Sequence, residues 1–204
     1  MAFSLTRPPR AGKPAPFKLS SAGRGGSPAR MPGRNTEPLP AGLARGSYPG
    51  RHLVHVRAAR DFLAALHEGD QAPLVSSVYE TDPVDCPPGS PSFLNAVLEI
   101  MTSLDPEELL VRAGDFERRL GRAAIRERNS PRPVDIDLLY AGDRCIGTAR
   151  LVLPHPRLTQ RRFVLQPLAE LRPDLVLPGQ SQRVADLLEA LPQQPMVRLV
   201  VGAW

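Results

Sequence analysis

The stretch "SLDPEELLVRAGDFERRLG" (103–121) constrains the fold more than any other part of the chain. Asp105 suits a helix N-cap, and Pro106 suits the first helical position, where no N–H is needed. Glu107 and Glu108 complement the positive end of the helix dipole, and Gly121 supplies the stop. Apolar runs flank this helix on both sides: "FLNAVLEIM" (93–101) before it and residues 133–140 after it, both reading as strands. Upstream, "RHLVHVRAARDFLAALHEG" places Leu53, Val56, Ala59, Phe62, Leu63 and Leu66 on one helical face and ends at Gly69. A short strand is expected at "AGLARGS" (41–47), between Pro40 and Pro49, and another at "PLVSSVY" (73–79). The proline-rich "ETDPVDCPPGSPS" (80–92) reads as a loop. The resulting order, β-α-β-β-α-β, is the ferredoxin-like split βαβ pattern, so the class is α+β. Beyond it, a hairpin is expected through "GDRCIGTARLVLP", helices near "RRFVLQPLAEL" and "VADLLEAL", and a terminal strand at "MVRLVV", forming a C-terminal extension.

Residues 1–36 differ in kind from the rest. They are rich in Pro, Gly, Ser and Arg, and bury too little apolar surface to offset the entropy of ordering. The expected organisation is a disordered basic tail (1–36) followed by one domain (37–204). A start nearer Met31, or a targeting or contact role for the tail, are the alternatives. The formal charge of +5 belongs to this tail: it holds seven Lys/Arg and no acid, which leaves 19 basic and 21 acidic residues in the body. The body is therefore not expected to bind nucleic acid. No apolar run approaches the roughly 20 residues of a membrane span, and the two cysteines, Cys86 and Cys145, are too few for a disulfide framework. A cytoplasmic monomer acting on small molecules, with no membrane partner, is thus expected.

The chemistry gathers around "SPRPVDIDLLY" (130–140). On a strand, Val134, Ile136 and Leu138 share one face, and Asp135 and Asp137 share the other, about 7 Å apart along the backbone. Such a pair can converge on divalent cations, and two metals can clamp a transferring phosphoryl group. It can equally be the wet face of an edge strand, which is the commoner meaning of an isolated Asp-x-Asp. Arg118, Arg119, Arg122, Arg126, Arg128 and Arg132 lie upstream, and "LPHPRLTQRRFVLQPL" places His155 between two prolines, followed by Arg157, Arg161 and Arg162. The guanidinium fork matches phosphate oxygens and stays charged. Carboxylates for metal, arginines for phosphate and a stiffly held His together suggest phosphoryl transfer, although no P-loop or protein-kinase motif is present.

Two blocks carry a resemblance: R-x-x-P-R-x-V-D-I-D-L-L (128–139) and L-P-H-P-R-L-x-x-R-x-F-V-L-x-P-L-A-E (153–170). With "SSVYET" (76–81), "FLNAV" (93–97), "LDPEELL" (104–110) and E-x-x-L-G-R (117–122), the chain resembles the 6-hydroxymethyl-7,8-dihydropterin pyrophosphokinase family over roughly residues 41–202. The resemblance implies a ferredoxin-like fold and a transferase that moves pyrophosphate from ATP to the pterin in folate biosynthesis, releasing AMP. It implies that Asp135 and Asp137 hold two Mg²⁺ ions. Arg122 and Arg132 would sit on a loop closing over the phosphates and act in catalysis, and Glu117, Arg150, His155 and Arg161 would contact ATP along with them. Thr81, Phe93, Asn95 and Phe163 would form the pterin slot, two aromatics enclosing a flat bicycle whose edge an amide reads.

The chain departs from the family pattern at Tyr48-Pro49, where Asn usually follows Gly-Ser, at Ala124 in place of a second loop arginine, and at Asn129, where many members place Trp. Ser130 and Asp82 also differ. These departures predict weaker ATP binding and loop closure. They support an alternative reading, a degenerate relative that binds pterin or nucleotide with impaired turnover. A third, a nucleic-acid-associated module, would rest on the basic tail.

Overall fold

The computed structural model describes residues 37–47, 52–82, 92–121, 134–194, 196–202 and 204. The described elements are β1 (Leu39–Ser47), α1 (His52–Ala64), β2 (Leu74–Val75), β3 (Val78–Thr81), β4 (Phe93–Thr102), α2 (Pro106–Arg119), β5 (Asp135–Ala141), β6 (Ile146–Gly147), β7 (Val152–Leu153), a 3-10 turn (Leu158–Gln160), α3 (Arg162–Leu171), α4 (Val184–Ala190) and β8 (Val197–Val201). The main sheet runs β5-β1-β4-β3-β8, with β2 also on β4, and its pairings are antiparallel. The first four strands of that order are those of a ferredoxin-like βαββαβ unit, as the element order predicts. The terminal strand extends the sheet beyond β3, and β6 and β7 form the expected hairpin.

Side-chain alternation divides the sheet into two faces. Ala41, Leu43, Leu98, Ile100, Ile136 and Leu138 point to one face, against Ala59 and Leu63 of α1 and Leu109 and Ala113 of α2. The two helices also meet each other, with Phe62 stacked on Phe116 at 4.4 Å between ring centroids. The apolar face expected for α1 is therefore the buried one. Asp105 caps α2 through a 2.9 Å bond from the Glu107 N–H. On the opposite face, Val97, Leu139 and Tyr140 pack with Val164, Leu165 and Leu168 of α3 and Val184 and Leu187 of α4. The C-terminal extension thus covers the sheet face that α1 and α2 leave open.

Two irregularities explain where the strands depart from simple alternation. In β5, Leu138 pairs with Leu43 and Tyr140 with Gly42, so one extra residue is accommodated and both Leu139 and Tyr140 reach the second core. Gly42 makes this possible, because a Cβ there would lie 2.2 Å from the Tyr140 ring. Gly42→Ala should accordingly destabilise the fold by about 1–3 kcal/mol, seen as a lower urea midpoint.

The second irregularity splits "PLVSSVY", expected as one strand, into β2 and β3. Val75 pairs with Leu98 and Tyr79 with Asn95, which again leaves one extra residue. The Ser76 hydroxyl replaces a main-chain acceptor and takes the Val97 N–H at 2.9 Å. Its carbonyl is then free to accept the Trp204 indole N–H at 2.8 Å. The sequence offers little hint of this, because the competing acceptor is a serine side chain. β1 also begins before Pro40, which had marked its boundary. Pro40 precedes the first β5 pairing, at Ala41, so its missing N–H breaks no bond on that side. The tail (1–36) and most of the proline-rich loop, including Cys86, lie outside the described residues.

Candidate active site

Asp135 and Asp137 stand on the sheet face covered by α3 and α4, at the end of β5 where it pairs with Gly46 and Ala44 of β1. Both are half-buried, while Ile136 between them turns into the first core. Partial burial, then repulsion from Asp135, holds the Asp137 carboxyl above its ordinary range, against the pull of His155, Arg161 and Arg157. Arg161 Nη1 lies 3.7 Å from Asp137 Oδ2. Burial and Arg157 lower the Arg161 pKa, while Asp137 and Asp135 raise it; a guanidinium remains charged throughout.

His155 follows the cis peptide Leu153–Pro154, and its N–H donates to the Leu139 carbonyl at 2.8 Å, which ties it to β5. Its Nδ1 accepts the Arg157 N–H at 3.2 Å, so the neutral ring carries its proton on Nε2. Burial pushes the imidazole below its usual pKa, with Asp137 opposing and both arginines reinforcing the shift. The ring therefore sits among two carboxylates and two guanidiniums, with Nε2 left as its N–H donor.

The carboxylate pair suits a divalent cation. Two like charges raise each other's cost of ionisation, and a cation removes that cost. Among the described residues no group of three or more His, Cys, Asp or Glu side chains is placed to hold a metal. A cation at Asp135 and Asp137 would complete its shell with water or ligand oxygens.

The neighbouring strands supply the second half of the site. Asn95 Nδ2 donates to Thr81 Oγ1 at 2.8 Å, and Thr81 pairs with Phe93 across β3 and β4. Thr81, Phe93 and Asn95 share the face on which the aspartates stand. Phe163 opens α3 and lies under Arg161, whose guanidinium carbon is 5.4 Å from the ring centroid. An unbroken chain of contacts therefore runs from Phe163 through Arg161 to Asp137.

Other expected site residues sit differently. Glu117 is 2% exposed, and its Oε1 accepts the Ile136 N–H at 2.6 Å. It holds β5 in place between the two aspartates, rather than facing open solvent. Arg150 is exposed in the turn between β6 and β7. Arg162, grouped with the phosphate arginines in the sequence, turns away: its Nη1 donates to the carbonyls of Leu188, Leu191 and Pro192 at 3.1–3.3 Å. Those carbonyls lie at and just past the end of α4, where i→i−4 donors run out and, among the described residues, only Leu188 keeps a backbone partner, the Leu191 N–H at 3.2 Å, which explains the diversion. Arg122 and Arg132 lie outside the described residues, as do Tyr48, Ala124, Asn129 and Ser130. Asp82, another departure from the family pattern, pairs with Arg198 of β8 at 3.2 Å. Sequence reasoning missed Glu99, a carboxylate 5% exposed within β4, which accepts from Arg172 at 2.5–3.2 Å and from the Tyr140 hydroxyl. An acid inside an apolar strand was the available signal.

Residues 42–173 match the family model described as 7,8-dihydro-6-hydroxymethylpterin-pyrophosphokinase (HPPK). A Bacillus subtilis 2-amino-4-hydroxy-6-hydroxymethyldihydropteridine pyrophosphokinase is 43% identical over 132 residues, covering 63% of this chain and 75% of that one. The Pseudomonas aeruginosa protein of the same name is 36% identical over 158 residues, 77% of this chain and 94% of its own length. The folic acid synthesis protein fol1 of Pneumocystis carinii is 37% identical over 73% of this chain, which spans only 20% of that longer protein. Among solved structures, an HPPK-DHPS in complex with substrates superposes with a TM-score of 0.60 at 13% identity, over 76% of this chain and 43% of that one. This last likeness concerns the fold.

Proposed function

Because the chain belongs to the 7,8-dihydro-6-hydroxymethylpterin-pyrophosphokinase family, we propose that it is a transferase of folate biosynthesis that moves the β,γ-diphosphate of ATP onto 6-hydroxymethyl-7,8-dihydropterin. The hydroxymethyl oxygen attacks the β-phosphorus, the bond from that phosphorus to the α,β-bridging oxygen breaks, AMP leaves, and the hydroxyl proton passes to solvent. The observation that carries this reading is the placement of Asp135, Asp137, Arg161 and His155 on the sheet face that also bears Thr81, Asn95 and Phe93. A site for charged phosphates and a site for a flat polar ring then adjoin.

In this reading Asp135 and Asp137 would hold two Mg²⁺ ions, whose chemistry there would be neutralisation of phosphate charge. His155 donates from Nε2 to a phosphate oxygen without adding a charge that would compete with the metals. Arg161, with Arg122, Arg132 and Arg150, neutralises the remaining phosphate charge, while Glu117 fixes the strand that carries the aspartates. Asn95 and Thr81 read the pterin edge, and Phe93 and Phe163 enclose its faces. The chain's contribution is alignment and charge stabilisation. Residues 37–204 form the catalytic domain, 1–36 are a dispensable extension, and the protein works as a cytoplasmic monomer on small molecules. No described helix is long and apolar enough to cross a membrane.

The test is the nucleotide product. Purified protein given ATP, Mg²⁺ and the hydroxymethyldihydropterin should release AMP in step with pterin consumption. ADP as the product, or tight ATP binding with no AMP, would refute the enzymatic reading.

A further inference from the structure

The bulge at Ser76–Ser77 frees polar groups that the fold then uses in one place. Glu170, near the end of α3, accepts the Ser77 N–H at 3.0 and 3.1 Å and the Ser77 hydroxyl at 2.8 Å. It also accepts the Tyr79 hydroxyl at 3.0 Å. Burial, reinforced by Glu170, pushes the Tyr79 phenol up to about 12, so it remains a proton donor at any working pH. One carboxylate thus gathers three donors from β3 and its entry, and the sequence between Ser77 and Tyr79 cannot shift relative to α3 without losing them.

The direction of α3 gives this contact a consequence. Arg172, just past its end, grips Glu99 of β4, whereas its first turn carries Phe163 beside Arg161 and Asp137. The helix therefore runs from the site end of the sheet toward Glu99. Phe163 and Glu170 are seven residues apart, hence on one helical face about 10 Å apart along the axis. On the sheet, Tyr79 pairs with Asn95, and Thr81 lies two residues further on the same face. The Tyr79–Glu170 contact is therefore the fixed point from which Phe163 extends on one side and Thr81 and Asn95 on the other.

We propose that Tyr79 and Glu170, with Ser77, form a latch between β3 and α3 that positions the pterin slot. Tyr79 and Glu170 are positioning residues that set the separation between Phe163 and the Asn95–Thr81 pair. The proposal rests on the pyrophosphokinase reading for its substrate and on the geometry alone for its mechanics. Because the latch lies on the pterin side, its loss loosens ring binding and leaves the aspartates, His155 and Arg161 in place.

Steady-state kinetics of Glu170→Gln and Tyr79→Phe test it. Glu170→Gln keeps the side-chain volume but turns an amide toward donors. It should raise the pterin KM roughly tenfold, equivalent to about 1.4 kcal/mol, with the ATP KM and kcat within about twofold of wild type and Tm nearly unchanged. Tyr79→Phe should have a smaller effect of the same kind, and the double variant should cost less than the sum of the two. Glu170→Asp, which keeps the charge, should restore part of the loss. An unchanged pterin KM in Glu170→Gln would overturn the latch. So would an equal rise in both KM values together with a fall in Tm, which marks general loosening. The Asn95 side-chain amide resonances provide a readout without substrate: a shift in Glu170→Gln supports the latch, and no shift overturns it. Failure of wild-type protein to release AMP would count against the enzymatic reading alone, because the amide resonances still decide the geometry.

Discussion

Asp135→Asn and Asp137→Asn should each reduce Mg²⁺-dependent AMP release by roughly a thousandfold, the scale of losing several kcal/mol of charge stabilisation in the transition state. Asp137→Asn should at the same time raise the Tm of the metal-free protein. In the folded chain the Asp137 carboxyl is held above its ordinary value of 3.8, first by burial and then by Asp135. A carboxyl with a raised folded pKa favours the folded state at low pH, where the proton is retained. That advantage is lost as pH climbs through the folded value, so at neutral pH the unligated protein carries the cost of an ionised Asp137. An amide has no charge to hold, and it removes the cost together with the metal site. For the same reason, mild acidification or added Mg²⁺ should each shrink the stability difference between wild type and Asp137→Asn. Thermal melts of both proteins with and without Mg²⁺, beside the activity assay, measure this pairing of lost function with gained stability. Retained activity in either variant would sink the metal assignment.

Arg172→Ala should destabilise the protein by about 3 kcal/mol, the usual cost of leaving a buried charge without its partner. Glu99 is 5% exposed, while the Arg172 side chain is 47% exposed. The two partners are therefore unequal: truncating the arginine leaves a carboxylate inside the sheet, whereas the arginine alone could turn to solvent. The Tyr140 hydroxyl would still donate to Glu99, but a single neutral donor does not offset a buried charge. Replacing Glu99 by Gln in the same chain should recover much of the loss, since the amide keeps the shape and the Tyr140 contact without the charge. Urea melts of the two single variants and the double variant form the cycle. Equal destabilisation by Arg172→Ala with Glu and with Gln at position 99 would show that packing, not charge, holds this end of α3.

The parts of the fold that follow from periodicity were legible in the chain. The capped helix at 106–119, the amphipathic face of α1 and the alternation of Asp135 and Asp137 with Ile136 and Leu138 all arise from local chemistry and a regular repeat. So did the ferredoxin-like order, because strand and helix lengths leave few ways to connect them. What escaped was decided by competition between partners distant in sequence. Ser76 breaks a strand only because its hydroxyl meets the Val97 N–H, 21 residues away. Arg162 looks like its neighbours Arg157 and Arg161, yet the open carbonyls at the end of α4 claim it. Glu117, which the resemblance assigns to ATP, gives one carboxylate oxygen to the Ile136 N–H, 19 residues away. In each case a donor or acceptor that must be satisfied found a partner that composition and spacing do not reveal.

The same reasoning accounts for the site. Asp-x-Asp alone is ambiguous, because a wet edge strand carries the same pattern. The positions of His155, Arg157 and Arg161 around Asp137 favour the proposed ligand site over a wet edge strand, since an ordinary solvated face has no reason to gather an imidazole and two guanidiniums about one carboxylate. On the same proposal, Asn95 and Thr81 with Phe93 and Phe163 would select the molecule that receives the diphosphate.

The most direct measurement is the fate of label placed at the β-phosphate of ATP. With Mg²⁺ and the hydroxymethyldihydropterin present, the account predicts that this label moves to the pterin while AMP accumulates unlabelled. Label retained in ADP, with only the γ-phosphate moving, would contradict it.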